Sequence, residues 1–74
     1  MITKELLKEA GWECVEVGDN GPATPKEYRN RYEVWAPAKE KIYNYRFRRQ
    51  VMYDRTDDRW SYDGKTITEM DQLP

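Results

Sequence analysis

Residues 41–55, KIYNYRFRRQVMYDR, form the stretch on which the fold prediction depends. Five of its apolar and aromatic residues share one parity: Tyr43, Tyr45, Phe47, Val51 and Tyr53. The other parity carries polar residues: Asn44, Arg46, Arg48 and Gln50. Such alternation is typical of a strand that buries one face. We therefore predict a long β-strand over 41–55, with a bulge or an edge position where Arg49 interrupts the apolar face.

Shorter strand patterns lie on both sides of this stretch. Residues 12–17, WECVEV, alternate until a slip after Cys14, which predicts a strand with a bulge. Near the C-terminus, residues 59–62 and 65–68 flank Asp63-Gly64. This dipeptide favours a two-residue hairpin turn because both residues tolerate a positive φ. The sequence therefore predicts an antiparallel hairpin in this region.

The N-terminal residues 3–10 have the pattern of a short amphipathic helix. Thr3 is the predicted N-cap, and Ile2 and Leu7 are placed to form a hydrophobic staple. Gly11 follows as the glycine that ends such a helix. A helix of this length is unstable alone, so we expect it to pack on the rest of the fold.

Residues 24–36 leave two alternatives open. Thr24 to Glu27 has the pattern of a capping box with proline at the first helical position, and aromatic residues follow at helical spacing. The segment 32–36, YEVWA, instead alternates as a strand does. We expect a turn of helix near 25–30 followed by a strand at 31–36, with one helix over 25–36 as the alternative.

These elements predict a single α+β domain over residues 1–74. An N-terminal helix packs on a small antiparallel sheet of three to five strands. The chain of 74 residues has room for one domain, and three Trp, six Tyr and one Phe let a thin core bury a large area. The tail, Glu69 to Pro74, is expected to fray.

Several common chemistries lack the residues that they need. The chain has no histidine and one cysteine, which excludes a His-activated nucleophile and a zinc site of ordinary composition. Its four glycines form no phosphate-binding loop. The turn Asp54 to Asp58 lacks the spacing of a calcium loop and is predicted to be solvated. We expect no catalytic residue, no metal and no cofactor, and we expect Cys14 to be a small buried apolar residue.

The same residues bear on location. No apolar run approaches the roughly 20 residues of a membrane helix. The first ten residues are charged throughout, unlike the apolar stretch of a signal peptide. A single cysteine also differs from the several disulfides that small secreted domains use. The expected location is the cytoplasm.

Charge is unevenly distributed along the chain. Residues 24–56 hold nine basic and four acidic residues, whereas 1–23 and 57–74 each hold two basic and five acidic residues. Aromatic residues are interleaved with the basic ones, and arginine with tyrosine is typical of binding hot spots. We predict a binding surface made of these residues: Arg31, Trp35, Tyr43, Tyr45, Arg46, Arg48 and Arg49.

Three interpretations of the basic segment remain open. Its rings can be core residues while its arginines are solvated. Its surface can bind a protein, or it can bind RNA or DNA through phosphate contacts and stacking. The net charge of −1 favours a protein partner. We therefore predict a non-enzymatic interaction protein that binds another macromolecule, as a monomer or a homodimer, with an RNA- or DNA-binding module as the alternative.

The opening segment Ile2 to Trp12, ITKELLKEAGW, resembles the start of many short phage and mobile-element proteins of unknown function. It is also similar to the first helix of the HicA-type toxins, small RNA-cleaving proteins with a fold like a double-stranded-RNA-binding domain. The toxin chemistry needs a histidine, which this chain lacks. The resemblance therefore implies a helix followed by strands and an accessory or inhibitor protein of a phage or mobile element, without toxin activity.

Overall fold

The computed structural model describes residues 1–18, 22–40 and 49–74, except for the side chain of Tyr28. Helix α1 spans Lys4–Glu9, and the strands are β1 Trp12–Val17, β2 Tyr32–Pro37, β3 Val51–Asp54, β4 Arg59–Tyr62 and β5 Lys65–Ile67. Turns of 3-10 helix lie at Lys26–Tyr28, Ala38–Glu40 and Met70–Gln72. The strands form one antiparallel sheet in the order β1-β2-β3-β4-β5. The predicted α+β class is confirmed.

Helix α1 begins where the sequence supplies a cap. Oγ1 of Thr3 accepts a hydrogen bond from the backbone N–H of Leu6 at 3.1 Å. Ile2 and Leu7 are both buried in the core, as the predicted staple requires. Gly11, with φ of 87°, turns the chain into β1. The predicted helix is confirmed, one residue shorter at each end. Among the described residues no helix has both the length and the apolar character needed to cross a membrane.

Strand β2 decides between the two alternatives for residues 24–36. A single turn of 3-10 helix precedes it, and β2 itself pairs with β1 on one side and β3 on the other. The single-helix alternative is therefore wrong, because pairing on both sides satisfies the backbone of the β-favouring segment. The predicted cap is also wrong in detail. Pro25, not Thr24, lies at the N-cap, and no side chain caps this turn.

The strand predicted over 41–55 is described from Arg49 onward. In this part β3 spans Val51–Asp54, and Arg49 and Gln50 lie outside it. Val51 is buried and Tyr53 packs against the core, whereas Met52 is exposed. The alternation is thus confirmed from Val51 to Tyr53, whereas Asp54 at the end of β3 is buried and departs from it. Residues 41–48 lie outside the described residues, so the strand there stays a prediction.

The irregularities of the sheet occur where the sequence placed them. The register of β1 against β2 shifts between Cys14 and Glu16, which confirms the bulge. Asp63 and Gly64 connect β4 to β5 with φ of 51° and 78°. Two positive φ values are the mark of a type I′ turn, whose twist matches that of the strands.

Three tryptophans on three different strands form the centre of the core. Trp12, Trp35 and Trp60 are buried together with Ile2, Leu7, Val51 and Ile67. The rings of Trp35 and Trp60 meet edge to face, with centroids 5.9 Å apart and planes at 72°. Aromatic pairs prefer this arrangement. The core therefore ties α1 to strands that are distant in the sequence.

The C-terminal tail is held against the core, so the expectation that it frays is wrong. Met70 and Leu73 pack on the buried cluster. Oε1 of Gln72 accepts hydrogen bonds from the backbone N–H groups of Thr68 and Glu69, at 2.8 and 2.9 Å. Apolar contact and local hydrogen bonding together order these residues.

Candidate functional site

The two faces of the sheet differ in character. Cross-strand pairing places one row on the core face: Val17, Glu33, Tyr53, Trp60 and Ile67. The same pairing places a second row on the opposite side: Glu16, Val34, Met52, Ser61 and Thr66. We call this second row the open face. Its members are exposed or half-buried, and the described core cluster contains none of them.

A buried carboxylate occupies the middle of the core face. Glu33 is 3% exposed and accepts three hydrogen bonds: from Trp35 Nε1 at 2.8 Å, Lys4 Nζ at 3.1 Å and Arg55 Nε at 2.5 Å. Burial alone would raise the pKa of Glu33, but these hydrogen bonds outweigh burial and lower the pKa below its ordinary value. Glu33 is therefore an ionised structural group that holds α1 and the β3–β4 turn to β2.

A second buried carboxylate engages a predicted site residue. Arg31 binds both oxygens of Asp54 through Nε and Nη2, each at 3.0 Å. Oδ1 of Asp54 also accepts the backbone N–H groups of Thr56 and Asp57. The hydrogen bonds from Arg31 lower the pKa of Asp54 against the opposing effect of burial. Asp54 is thus the last residue of β3, 3% exposed, and not part of a solvated turn as expected.

The other described members of the predicted binding surface are also engaged inside the molecule. Trp35 is 3% exposed and belongs to the core. Arg49 pairs with Glu40, donates to the backbone oxygen of Pro74 at 3.0 Å, and lies over the ring of Trp12. Arg31 and Arg49 lie near opposite ends of β2, so the structure does not bring them together.

Four members of the predicted binding surface are outside the described residues: Tyr43, Tyr45, Arg46 and Arg48. Their part in binding stays a prediction. Within the described chain, three arginines of the basic segment anchor loops and strand ends and pair with carboxylates: Arg31, Arg49 and Arg55.

Met52 is the largest exposed apolar side chain on the open face of the described strands. Met52 is 41% exposed and lies between Val34 of β2 and Ser61 of β4. A shallow hollow of about 420 Å3 adjoins it, lined also by Gln50 and Asp63. No charged residue lies on this row in β2, β3, β4 or β5, and Glu16 lies at its β1 end. The surface is therefore apolar and hydroxyl-bearing at its centre and charged at its border.

Sequence reasoning did not single out the open face. Its one usable signal was parity, since Met52 has the opposite parity to Val51 and Tyr53. The cross-strand neighbours of Met52 depend on pairing between segments far apart in the chain, which alternation alone does not define.

Two reactive groups on the core side have little capacity for chemistry. The hydrogen bond from the Tyr53 hydroxyl to Asp58 and, to a smaller extent, burial raise the pKa of Tyr53 to about 12. Cys14 is exposed, so its expected burial is wrong. Partial burial of the sulfur and the charge of Glu33 raise the pKa of the Cys14 thiol, which opposes formation of the reactive thiolate.

Within residues 1–18, 22–40 and 49–74, no three Cys, Asp or Glu side chains are grouped to hold a metal ion. The chain matches no family model, no curated protein and no solved structure.

Proposed function

We propose that this protein is a non-enzymatic module that binds another protein, with the open face as its contact surface. The observation that carries the proposal is the cross-sheet row with Met52 at its centre. Protein interfaces are depleted in charge at their centre, enriched in methionine and bordered by polar residues. The row from Glu16 to Thr66 has this composition.

A protein partner is favoured over a nucleic acid by the use of the arginines. Nucleic-acid binding draws most of its affinity from guanidinium and ammonium groups that neutralise phosphates. In the described part of the basic segment, Arg29 donates to a backbone oxygen, and Arg31, Arg49 and Arg55 each pair with a carboxylate. Binding phosphate with these groups would first break contacts that hold the fold.

The state of the carboxylates supports a binding role without catalysis. General acid–base catalysis needs a carboxyl group whose pKa is raised towards neutrality. The two buried carboxylates of the described residues, Glu33 and Asp54, have lowered pKa values, because hydrogen bonds from Trp35 and from cationic side chains stabilise their charge. Both carboxylates accept hydrogen bonds from within the chain and so have a structural role.

Site-specific photocrosslinking tests the proposal. A benzophenone amino acid is placed at Met52 and, as a matched control, at exposed Lys26 on the 3-10 turn. In a lysate of the source cells we expect a discrete protein adduct from position 52 alone. Excess wild-type protein should compete for that adduct, and a folded Met52→Lys variant should not. Equal adducts from both positions, competition by both proteins, or no adduct at all would refute the open face as the contact surface.

A further inference from the structure

The three methionines of the chain differ in their surroundings. Met52 is 41% exposed and lies at the centre of the open face. Met70 is half-buried and packs on the core cluster, whereas Met1 is 77% exposed and is not part of the open face. The thioether of methionine is readily oxidised where an oxidant can reach the sulfur. Met52 is therefore both an accessible thioether and the centre of the proposed contact surface.

Oxidation changes the polarity of this side chain. A hydroperoxide transfers one oxygen atom to the sulfur: an S–O bond forms, the O–O bond breaks, and the hydroperoxide is reduced to water or an alcohol as the sulfur loses two electrons. The product, methionine sulfoxide, is polar where the thioether is apolar. Burial of a polar group without a hydrogen-bond partner is unfavourable. The oxidised side chain is therefore unsuited to the uncharged centre of a protein interface.

The folded chain, in contrast, has room for a sulfoxide at Met52. The described core cluster contains Val51 but not Met52, which faces the other side of the sheet. Ser61 is its cross-strand neighbour on β4, and Gln50 lines the adjoining hollow of about 420 Å3. A hydroxyl and an amide both carry N–H or O–H groups that can donate to a sulfoxide oxygen. Oxidation of Met52 should therefore affect binding and leave the fold intact.

We propose that Met52 is an oxidation site that regulates the open face: a hydroperoxide converts its thioether to the sulfoxide, and the sulfoxide weakens binding of the partner protein without unfolding the domain. The inference rests on the proposed protein-binding function and gives that surface a means of regulation. The change is reversible, because methionine sulfoxide reductases restore the thioether. In that step two thiols are oxidised to a disulfide, and the oxygen leaves as water.

Timed exposure of the full chain to hydrogen peroxide, followed by peptide mapping with mass spectrometry, tests the site. We expect Met52 to be oxidised several-fold faster than Met70, which the core shields. Protein oxidised at Met52 should keep the tryptophan fluorescence spectrum and the urea midpoint of the untreated protein. Oxidation of Met70 before Met52, or loss of the folded state once Met52 is oxidised, would overturn the inference.

Competition in the photocrosslinking assay tests the regulation. Untreated and peroxide-treated wild-type protein compete for the adduct formed from position 52, and Met52→Leu, which keeps an apolar side chain without sulfur, is the matched control. We expect treated wild type to require at least about a tenfold higher concentration, a difference of about 1.4 kcal/mol, and treatment of Met52→Leu to have no effect. Incubation of treated wild type with the reductases and a thiol should restore competition.

The outcomes separate the regulation from the surface itself. Equal competition by treated and untreated wild type would overturn the regulation alone, whereas no adduct from position 52 would refute the open face as the contact surface. Loss of competition in treated Met52→Leu would place the effect at another group, such as the exposed thiol of Cys14, and would also overturn the inference. Failure of the reductases to restore competition would do the same, because they act on methionine sulfoxide and not on other oxidised groups.

Discussion

Replacing Glu33 by glutamine tests whether the buried carboxylate holds the fold together. The amide keeps the size of the side chain and an oxygen for the indole N–H of Trp35, which is 2.8 Å from Glu33 Oε1. It removes the charge that Lys4 and Arg55 bind, and it presents an N–H donor to those two donors. The perturbation therefore isolates the two charge-assisted contacts from the packing of the core.

The size of the effect follows from these contacts. A hydrogen bond to a charged group contributes about 1.5–3 kcal/mol, so two set an upper limit of about 6 kcal/mol. The side chains of Lys4 and Arg55 are 40% and 42% exposed, so both can regain water when the carboxylate is lost. We therefore expect Glu33→Gln to lower the free energy of unfolding by about 2–3 kcal/mol at pH 7. For a domain of this size that loss corresponds to a fall in Tm of about 10–20 °C.

The pH dependence separates a charge effect from a packing defect. The folded-state pKa of Glu33 lies below its ordinary value of 4.5. The stabilisation from ionised Glu33 is therefore fully present above pH 4.5 and is lost as the pH falls through the folded-state pKa. The glutamine variant lacks this stabilisation at every pH, so its deficit relative to wild type should shrink as the pH falls below about 4.5.

Urea unfolding followed by tryptophan fluorescence measures both quantities. Glu27→Gln, at an exposed position, is the control and should change stability by less than about 0.5 kcal/mol. Wild-type stability in Glu33→Gln at pH 7 would refute the structural role of the carboxylate. If the stability difference between Glu33→Gln and wild type were as large at pH 3 as at pH 7, the loss would come from disturbed packing and not from the missing charge.

Three further predictions concern the turn, the tyrosine and the alternative partner. Gly64→Ala should lower the free energy of unfolding by about 1 kcal/mol, because alanine is strained at a φ of 78°. No atom lies within 4 Å of the added Cβ, so the cost comes from the backbone conformation alone. An unchanged Tm would contradict this reasoning. Spectrophotometric titration should show Tyr53 ionising near pH 12, and Asp58→Asn should lower that pKa; an unchanged titration would exclude the hydrogen bond. In a gel-shift assay with mixed RNA and DNA at low salt, micromolar protein should give no shift. A shift that weakens steeply with salt, and is lost in Arg46→Glu/Arg48→Glu, would favour nucleic acid instead.

Local signals in the sequence predicted the elements that local interactions determine. Thr3 caps α1 through a neighbour three residues away, and the adjacent residues Asp63 and Gly64 form their turn with two positive φ values. Glu33 and Asp54 were not recognised as buried, because their partners come from distant parts of the chain. Lys4 is 29 residues from Glu33, and Arg31 is 23 residues from Asp54. Hydrophobic periodicity in the sequence does not predict ion pairs between residues so far apart in the chain.

A cluster of basic residues in the sequence therefore does not by itself predict a basic surface patch in the fold. The segment rich in arginine predicted a positive contact area, but Arg31, Arg49 and Arg55 each bind a carboxylate within the chain. On the described sheet, the open face has an uncharged centre at Met52 and a charged border at Glu16. An uncharged centre contributes through packing and is insensitive to salt, whereas exposed charges mainly affect the rate of association and are screened by it. Binding through the open face should therefore lose association rate but keep its dissociation rate as salt increases, because the charge lies at the border and the centre is uncharged.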